Sequence, residues 1–288
     1  MQKIAVIGIG LIGGSILKGL KELNYKLIGV ARRQETIDKA LEERIISQGS
    51  TDISIVKDAD VIFICAPINM TVSMIQEVSK IAKPEALITD VASIKGAVMN
   101  FVNANPEPIN FIGGHPMAGT ENKGIEASFS ELFEGAKWVL TPSKWSKSEE
   151  TELLQNIIKQ LGAETIVADP QEHDKAVALI SHMPLFLSQS LFSLVKNHSG
   201  GDLAIRLAAS GFRDMTRLAA TNPELTKDML FENKAAALTA FRELLNEAAD
   251  LIVELAENEE NFAETSVELA EARKKMYSPE GKNIYTEQ

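Results

Sequence analysis

Through the first 170 or so residues, short apolar runs alternate with stretches whose apolar positions recur every three or four residues. The runs Lys3–Ile9, Lys26–Val30, Val61–Ala66, Leu87–Val91, Asn110–Gly113 and Trp138–Thr141 are rich in β-branched residues and nearly continuous in apolar character. That texture belongs to parallel strands covered on both faces, not to a half-exposed sheet. Helical patterns fall between several of them, which predicts βαβ units and a doubly wound sheet. Glu149–Leu161 predicts a helix closed by Gly162, and Glu164–Ala168 predicts one more strand.

After Asp169-Pro170 the strand signals stop. Apolar residues now recur at helical spacing, as in Leu238, Phe241, Leu244, Leu245, Ala248, Leu251, Ile252 and Leu255. The expected organisation is α/β: a Rossmann-type doubly wound domain over residues 1–170, followed by an all-helical domain over 171–288 for substrate binding and dimerisation. The long amphipathic segments carry more apolar surface than one small bundle hides. A symmetric homodimer through the helical domain is therefore expected, with a compact monomeric bundle as the alternative.

Composition narrows the function. Hydrophobic residues make up 45% and charged residues 24% of the chain, ordinary values for a globular enzyme. A net charge of −11 argues against nucleic acid as a partner, since backbone binding needs a basic face. A small-molecule substrate stays open, even an anionic one, because local arginines override net charge. Cys65 is the single cysteine, so neither a disulfide framework nor a cysteine-based zinc site is expected, and no metal is predicted. Its apolar run suggests a buried core thiol. Met1 leads straight into a strand, and the apolar runs are far shorter than the ~20 residues of a membrane span. A cytoplasmic protein without membrane association is the expectation.

Gly8-Ile9-Gly10-Leu11-Ile12-Gly13 follows a strand and opens a helix. In such a loop Gly8 permits the tight turn, Gly10 lets a pyrophosphate reach the backbone, and Gly13 lets helix and strand pack closely. The helix N-terminus then receives the negative charge. The isolated pattern is weak, but its strand-before, helix-after context makes it a dinucleotide site. At the tip of the second strand stands Gly29-Val30-Ala31-Arg32-Arg33, with no acid. An acid there would bind the ribose hydroxyls of NAD; Arg32 can instead clamp a 2′-phosphate. NADP is the expected cofactor, with NAD as the alternative, and the expected contacts are Gly8, Gly10, Leu11, Ile12, Gly13, Ala31, Arg32 and Arg33.

Chemistry concentrates in Phe111-Ile-Gly-Gly-His-Pro-Met-Ala-Gly-Thr-Glu121, which places His115 on a glycine-rich turn after a strand, stiffened by Pro116. A neutral imidazole so held can take a proton near neutral pH. Asp90-Val91-Ala92-Ser93-Ile94-Lys95 also ends a strand and starts a helix, so Ser93 is expected at the same crevice, or else as a helix N-cap. Ile180-Ser181-His182-Met183-Pro184 and Ser210-Gly211-Phe212-Arg213-Asp214-Met215-Thr216-Arg217 follow. His173 and His198 stand in polar surroundings and are expected to be solvated.

The ordered set of these segments resembles the prephenate/arogenate dehydrogenase family of tyrosine biosynthesis, over nearly the whole chain. The resemblance implies a cyclohexadienol substrate bearing a ring carboxylate. Hydride passes to the nicotinamide, the carboxylate departs as carbon dioxide and the ring becomes aromatic. It implies that His115 is the catalytic histidine and that Ser93 hydrogen-bonds the same hydroxyl. Arg217 would clamp a carboxylate, Asp214 would orient these groups, and Thr120 and Glu121 would line the side-chain end of the pocket. For His182 a substrate contact and a buried structural role both stay open. Many prephenate users carry a second histidine directly after the SHxP segment, where this sequence has Leu185. Together with Arg32, that departure resembles the NADP-linked arogenate dehydrogenases, with prephenate as the alternative substrate. Any feedback by tyrosine would then be competition at the active site. A 3-hydroxyacid dehydrogenase and a non-catalytic NADP sensor are the more distant alternatives.

Overall fold

The structure is a computed structural model and describes residues 1–120 and 122–277. Its chain alternates β1 (Gln2–Ile7), α1 (Leu11–Leu20), β2 (Tyr25–Val30), α2 (Gln34–Glu42), β3 (Gln48–Ser50), β4 (Val61–Ile64) and α3 (Ile68–Ile81). There follow β5 (Leu87–Asp90), α4 (Gly96–Ala104), β6 (Phe111–Pro116), β7 (Lys137–Pro142), α5 (Ser148–Gln160) and β8 (Glu164–Val167). The eight strands form one sheet in the order β3-β2-β1-β4-β5-β6-β7-β8.

Successive strand residues point to opposite faces, and both faces are apolar, so the sheet is covered twice. Ile4, Val6, Val61, Phe63 and Ile112 face one layer with Leu17, Leu20, Ile37 and Ile157. Their neighbours Ala5, Ile7, Ile62, Ile64, Ile88 and Phe111 face the other, with Ile75, Val78, Val98 and Val102. Chain order reverses between β1 and β4, so the carboxyl ends of these two strands border the crevice where such sheets take ligands.

The sheet departs from expectation in two places. β3 is only three residues, Gln-Gly-Ser, and its pairing with β2 left no apolar signal to read. β7 runs antiparallel to β6 although its composition reads as a parallel strand, and β8 runs parallel to β7. Among its described residues the β6–β7 connection holds two short 3₁₀ turns, Ile125–Ala127 and Ser130–Phe133, and no crossover α-helix, and the chain returns beside its own strand.

The rest of the described chain is mainly helical: α6 (Pro170–Val177), a π turn (Ala178–His182), α7 (Met183–Asn197), α8 (Gly201–Leu207), α9 (Ser210–Thr216), α10 (Pro223–Glu232), α11 (Lys234–Glu257) and α12 (Glu259–Met276). Asp169 caps α6 by accepting from the N–H groups of Gln171 and Glu172, with Pro170 in the first turn. The chain forms two compact units, Met1–Ala237 and the stretch from Leu238 onward. Pro170–Asn197 is one unbroken helical stretch of 28 residues, long and apolar enough by length and composition to cross a membrane. That is longer than the strand-length apolar runs seen in the sequence, because the π turn carries α6 into α7 without a break.

Candidate active site

The glycine loop makes a tight strand-to-helix turn between β1 and α1. Gly8 has φ +98°, and a Cβ there would stand 2.4 Å from the Cys65 carbonyl oxygen, so the turn after β1 lies directly against the turn after β4. A Cβ on Gly13 would sit 2.1 Å from the Gly8 carbonyl oxygen, while one on Gly10 would meet nothing within 4 Å. Open space therefore stands over Gly10 at the start of α1, where a pyrophosphate would meet the backbone N–H groups of Leu11 and Ile12. The loop fits a dinucleotide. Cys65 is partly buried at this edge instead of deep in the core, and burial pushes its thiol up so that it stays protonated.

At the tip of β2, Ala31 is buried and Arg32 and Arg33 are exposed, with Arg33 standing as the residue before α2. Lys39 on α2 pairs with Glu126 at 3.2 Å, and the Glu126 carboxyl is held below its usual range first by its own backbone N–H, then by Lys39, and least by Arg33.

His115 lies inside β6, paired with Val139 of β7, and not on a turn beyond the strand as the glycines suggested. The strand runs on to Pro116 because the preceding glycines make room for what lies beside them. A Cβ on Gly114 would stand 2.6 Å from the Asp90 carbonyl oxygen. Asp90 ends β5 and binds the Gly114 N–H at 3.0 Å and the Ala92 N–H at 3.0 Å. Lys95 donates to the Asp90 carboxylate and, at 2.8 Å, to the Gly114 carbonyl, with both charged side chains fully buried. Burial pushes the Lys95 ammonium down from its usual value, against the pull of Asp90 and Asp174.

His173 corrects the expectation of a solvated side chain. It is 4% exposed, and its Nε2 lies 2.8 Å from His115 Nδ1. Its Nδ1 lies 2.8 Å from Asp174 Oδ1. Asp174 in turn accepts from the backbone N–H groups of Lys95 (2.7 Å) and Gly96 (2.8 Å). The polar neighbours Gln171, Glu172 and Lys175 hid this face of α6, yet His173, Asp174, Val177 and Ala178 fall at helical spacing and are all buried. That spacing was the available signal. Asn233 joins the group by donating to the Asp174 carbonyl at 2.8 Å, and it stands 3.4 Å from His182 Nδ1.

His182 is fully buried, and its Nε2 has no partner among the described residues. Burial lowers its proton affinity, with Asp174 opposing and His173 reinforcing the shift. His115 is held well below the usual histidine range, first by burial and then by His173, Lys95 and His182. It is therefore uncharged at neutral pH.

Ser93 is half-buried in the turn before α4, whose N-cap is Lys95, so Ser93 is not the cap. Arg217 is exposed at the start of the 3₁₀ turn Arg217–Ala220, which Ser188 of α7 ties down through the Ala219 N–H at 2.9 Å. Asp214 pairs with its neighbour Arg213 at 3.2 Å on the surface, and the carboxylate that engages the histidines is Asp174. Thr120 is exposed and accepts from the Asn122 N–H. Glu121 lies outside the described residues. His198 is exposed, as expected. Among the described residues no cluster of potential ligands could hold a metal ion.

Comparison with known proteins matches residues 17–167 to the family model "Prephenate dehydrogenase, nucleotide-binding domain" and residues 169–269 to "Prephenate dehydrogenase, dimerization domain". The prephenate dehydrogenase of Bacillus subtilis (strain 168) is 36% identical over 251 residues, covering 85% of this chain and 67% of that protein. The crystal structure of Synechocystis arogenate dehydrogenase superposes with a TM-score of 0.88 at 34% identity, covering 96% of this chain and 100% of that one. Prephenate dehydrogenase from A. aeolicus, solved in complex with hydroxyphenyl propionate and NAD+, superposes with a TM-score of 0.85 at 30% identity, covering 96% and 98%.

Proposed function

The chain belongs to the prephenate dehydrogenase family, a family of nicotinamide-dependent dehydrogenases, and within it we propose that this protein converts arogenate to tyrosine with NADP as hydride acceptor. The observation that carries the chemistry is the neutral, buried His115, whose Nδ1 is engaged by His173 and whose Nε2 remains for the substrate hydroxyl.

The substrate carries a hydroxyl on the carbinol carbon and a carboxylate on the opposite ring carbon. His115 takes the hydroxyl proton as that carbon becomes carbonyl-like, and Ser93 hydrogen-bonds the same oxygen. The nicotinamide, when bound, accepts the hydride. Loss of the ring carboxylate as carbon dioxide returns its bonding electrons to the ring, which becomes aromatic, and the oxygen recovers the proton from His115 as a phenol. Arg217 clamps a carboxylate, and Thr120 lines the side-chain end. Gly8, Gly10, Leu11, Ile12 and Gly13 hold the pyrophosphate, with Ala31, Arg32 and Arg33 at the adenosine ribose.

Arogenate is favoured over prephenate by Leu185, which is 3% exposed one turn beyond His182 and offers no polar contact. Glu121 favours the ammonium that only arogenate carries. NADP is favoured by Arg32, an exposed arginine at a strand tip without an acid. We assign residues 1–170 to cofactor binding and 171–288 to substrate binding and dimerisation. The exposed Phe186, Leu187, Phe192 and Leu194 of α7 supply apolar surface for a homodimer of a soluble, cytoplasmic enzyme.

Initial rates with arogenate and prephenate, each against NADP and NAD, test the proposal. Turnover of arogenate with NADP far above the other three pairs is expected. Preferential turnover of prephenate would overturn the reading of Leu185, and preference for NAD would overturn that of Arg32.

A further inference from the structure

Three groups in series account for the protons around His115. The Asp174 carboxylate accepts from two backbone N–H groups, of Lys95 at 2.7 Å and Gly96 at 2.8 Å, and backbone N–H groups can only donate. It is thereby pinned to the start of α4 as an acceptor. His173 Nδ1 lies 2.8 Å from the same Oδ1 and must carry the hydrogen of that bond. A neutral imidazole protonated on Nδ1 has only a lone pair to offer at Nε2. His115 Nδ1, 2.8 Å from that lone pair, must therefore donate to it, and the two rings meet at 80° with centroids 5.0 Å apart.

We propose that Asp174 and His173 form a positioning relay that holds His115 in its Nδ1-protonated tautomer and so leaves Nε2 bare to receive the substrate's hydroxyl proton. The inference rests on the reading of His115 as the base. Neither residue need touch substrate. Their effect is to decide which ring nitrogen of His115 is available and which way the ring is turned, and a base presented in the wrong tautomer meets the hydroxyl with a hydrogen instead of a lone pair. The same carboxylate fixes the backbone of Lys95 and Gly96, so the relay also ties α6 to the turn carrying Ser93. The charged and titratable groups that act on the two rings are Lys95 from the β5–α4 side, itself paired with Asp90, His182 from the π turn and Asp174 from α6 itself.

His173→Phe keeps a flat ring of similar size but gives no acceptor. His173→Gln supplies a neutral carbonyl oxygen that can accept from His115 Nδ1. The expected result is a fall in kcat of about a hundredfold for His173→Phe, with KM little changed. His173→Gln should recover at least about a tenfold share of that loss. The second readout needs no turnover: ring ¹⁵N spectra of histidine-labelled protein should show His115 protonated on Nδ1 in the native chain and shifted toward Nε2 in His173→Phe. An unchanged kcat in His173→Phe overturns the relay, as does a lost kcat with the His115 tautomer unmoved. Should that variant fail to fold, an Nε2-protonated His115 in the native spectrum is equally decisive against it. Full turnover by His115→Asn would instead overturn the base, a separate result that the tautomer spectrum does not depend on.

Discussion

Lys95 donates from its Nζ to the carbonyl of Gly114 at 2.8 Å, so a buried ammonium is fastened to the residue that precedes His115 in β6. The cation is neutralised by Asp90, yet it still opposes a second positive charge on the adjacent imidazole. Burial of the site and this arrangement lower the proton affinity of His115, and that sets how it responds to pH.

The acid limb of kcat/KM should lie below about 6.5, the ordinary histidine value, because His115 is active when unprotonated and its proton affinity is lowered. A pH–rate profile with its acid limb at or above that value would contradict the assignment. Stability should follow the same sign. His115 and His182 are both depressed in the folded chain. The unfolded chain therefore binds more protons once the pH falls below about 6.5. Their contribution is complete above that value and is lost as pH falls toward the folded-state values, which urea unfolding at neutral and mildly acid pH would measure.

His115→Asn should keep cofactor affinity and lose turnover by about a hundredfold or more, since a positioned base is typically worth that much. Cofactor titration by fluorescence, run beside initial rates, separates the two effects.

Gly10→Ala and Gly13→Ala should differ in kind. At Gly10 a Cβ meets nothing in the folded chain, so stability should hold while the methyl intrudes on the pyrophosphate space and weakens cofactor binding. At Gly13 the Cβ would collide with the backbone oxygen of Gly8, so the thermal midpoint should fall along with cofactor affinity. Paired melting curves and cofactor titrations check this.

Arg32→Ala should weaken NADP by about tenfold while leaving NAD nearly unaffected, as loss of a charge-assisted contact at an exposed, salt-screened site implies. Equal effects on both dissociation constants would remove Arg32 from the phosphate site.

Lys95→Met should destabilise the fold by about 3–5 kcal/mol, because it strands the fully buried Asp90 carboxylate without its cation. Lys175→Ala breaks only an exposed pair with Glu172 and should leave the denaturation midpoint almost unmoved.

Much of the fold was legible because parallel strands covered on both faces leave continuous apolar runs. β1, β2, β4 and β5 stand within a few residues of where those runs predict them. β3 was not legible, since three polar-to-neutral residues on the far side of β2 bury no side-chain pattern. The direction of β7 was not legible either. Its apolar content reports coverage by neighbours, and a chain's direction within the sheet is set by the connection that leads into it. His115 and Ser93 could be picked out because they fall in glycine-rich or strand-ending segments. His173 could not be picked out from local composition, because its polar neighbours outweigh the helical spacing that puts it with Val177 and Ala178 on a buried face.

What the sequence by itself determined is local in origin: strand and helix periodicity, the glycine spacing that opens α1, the absence of an acid after β2, and a histidine beside two glycines. Each of these acts over a few residues, so each is written in consecutive letters. Only the tertiary structure decided which side chains share a proton. Asp90 and Lys95, His115, His173 and Asp174, and Asn233 come from four separate stretches, and they meet because the sheet brings β5 beside β6 and α6 packs on α4. Hydrogen bonds and desolvation depend on distances between such stretches, and no pattern along the chain records those distances.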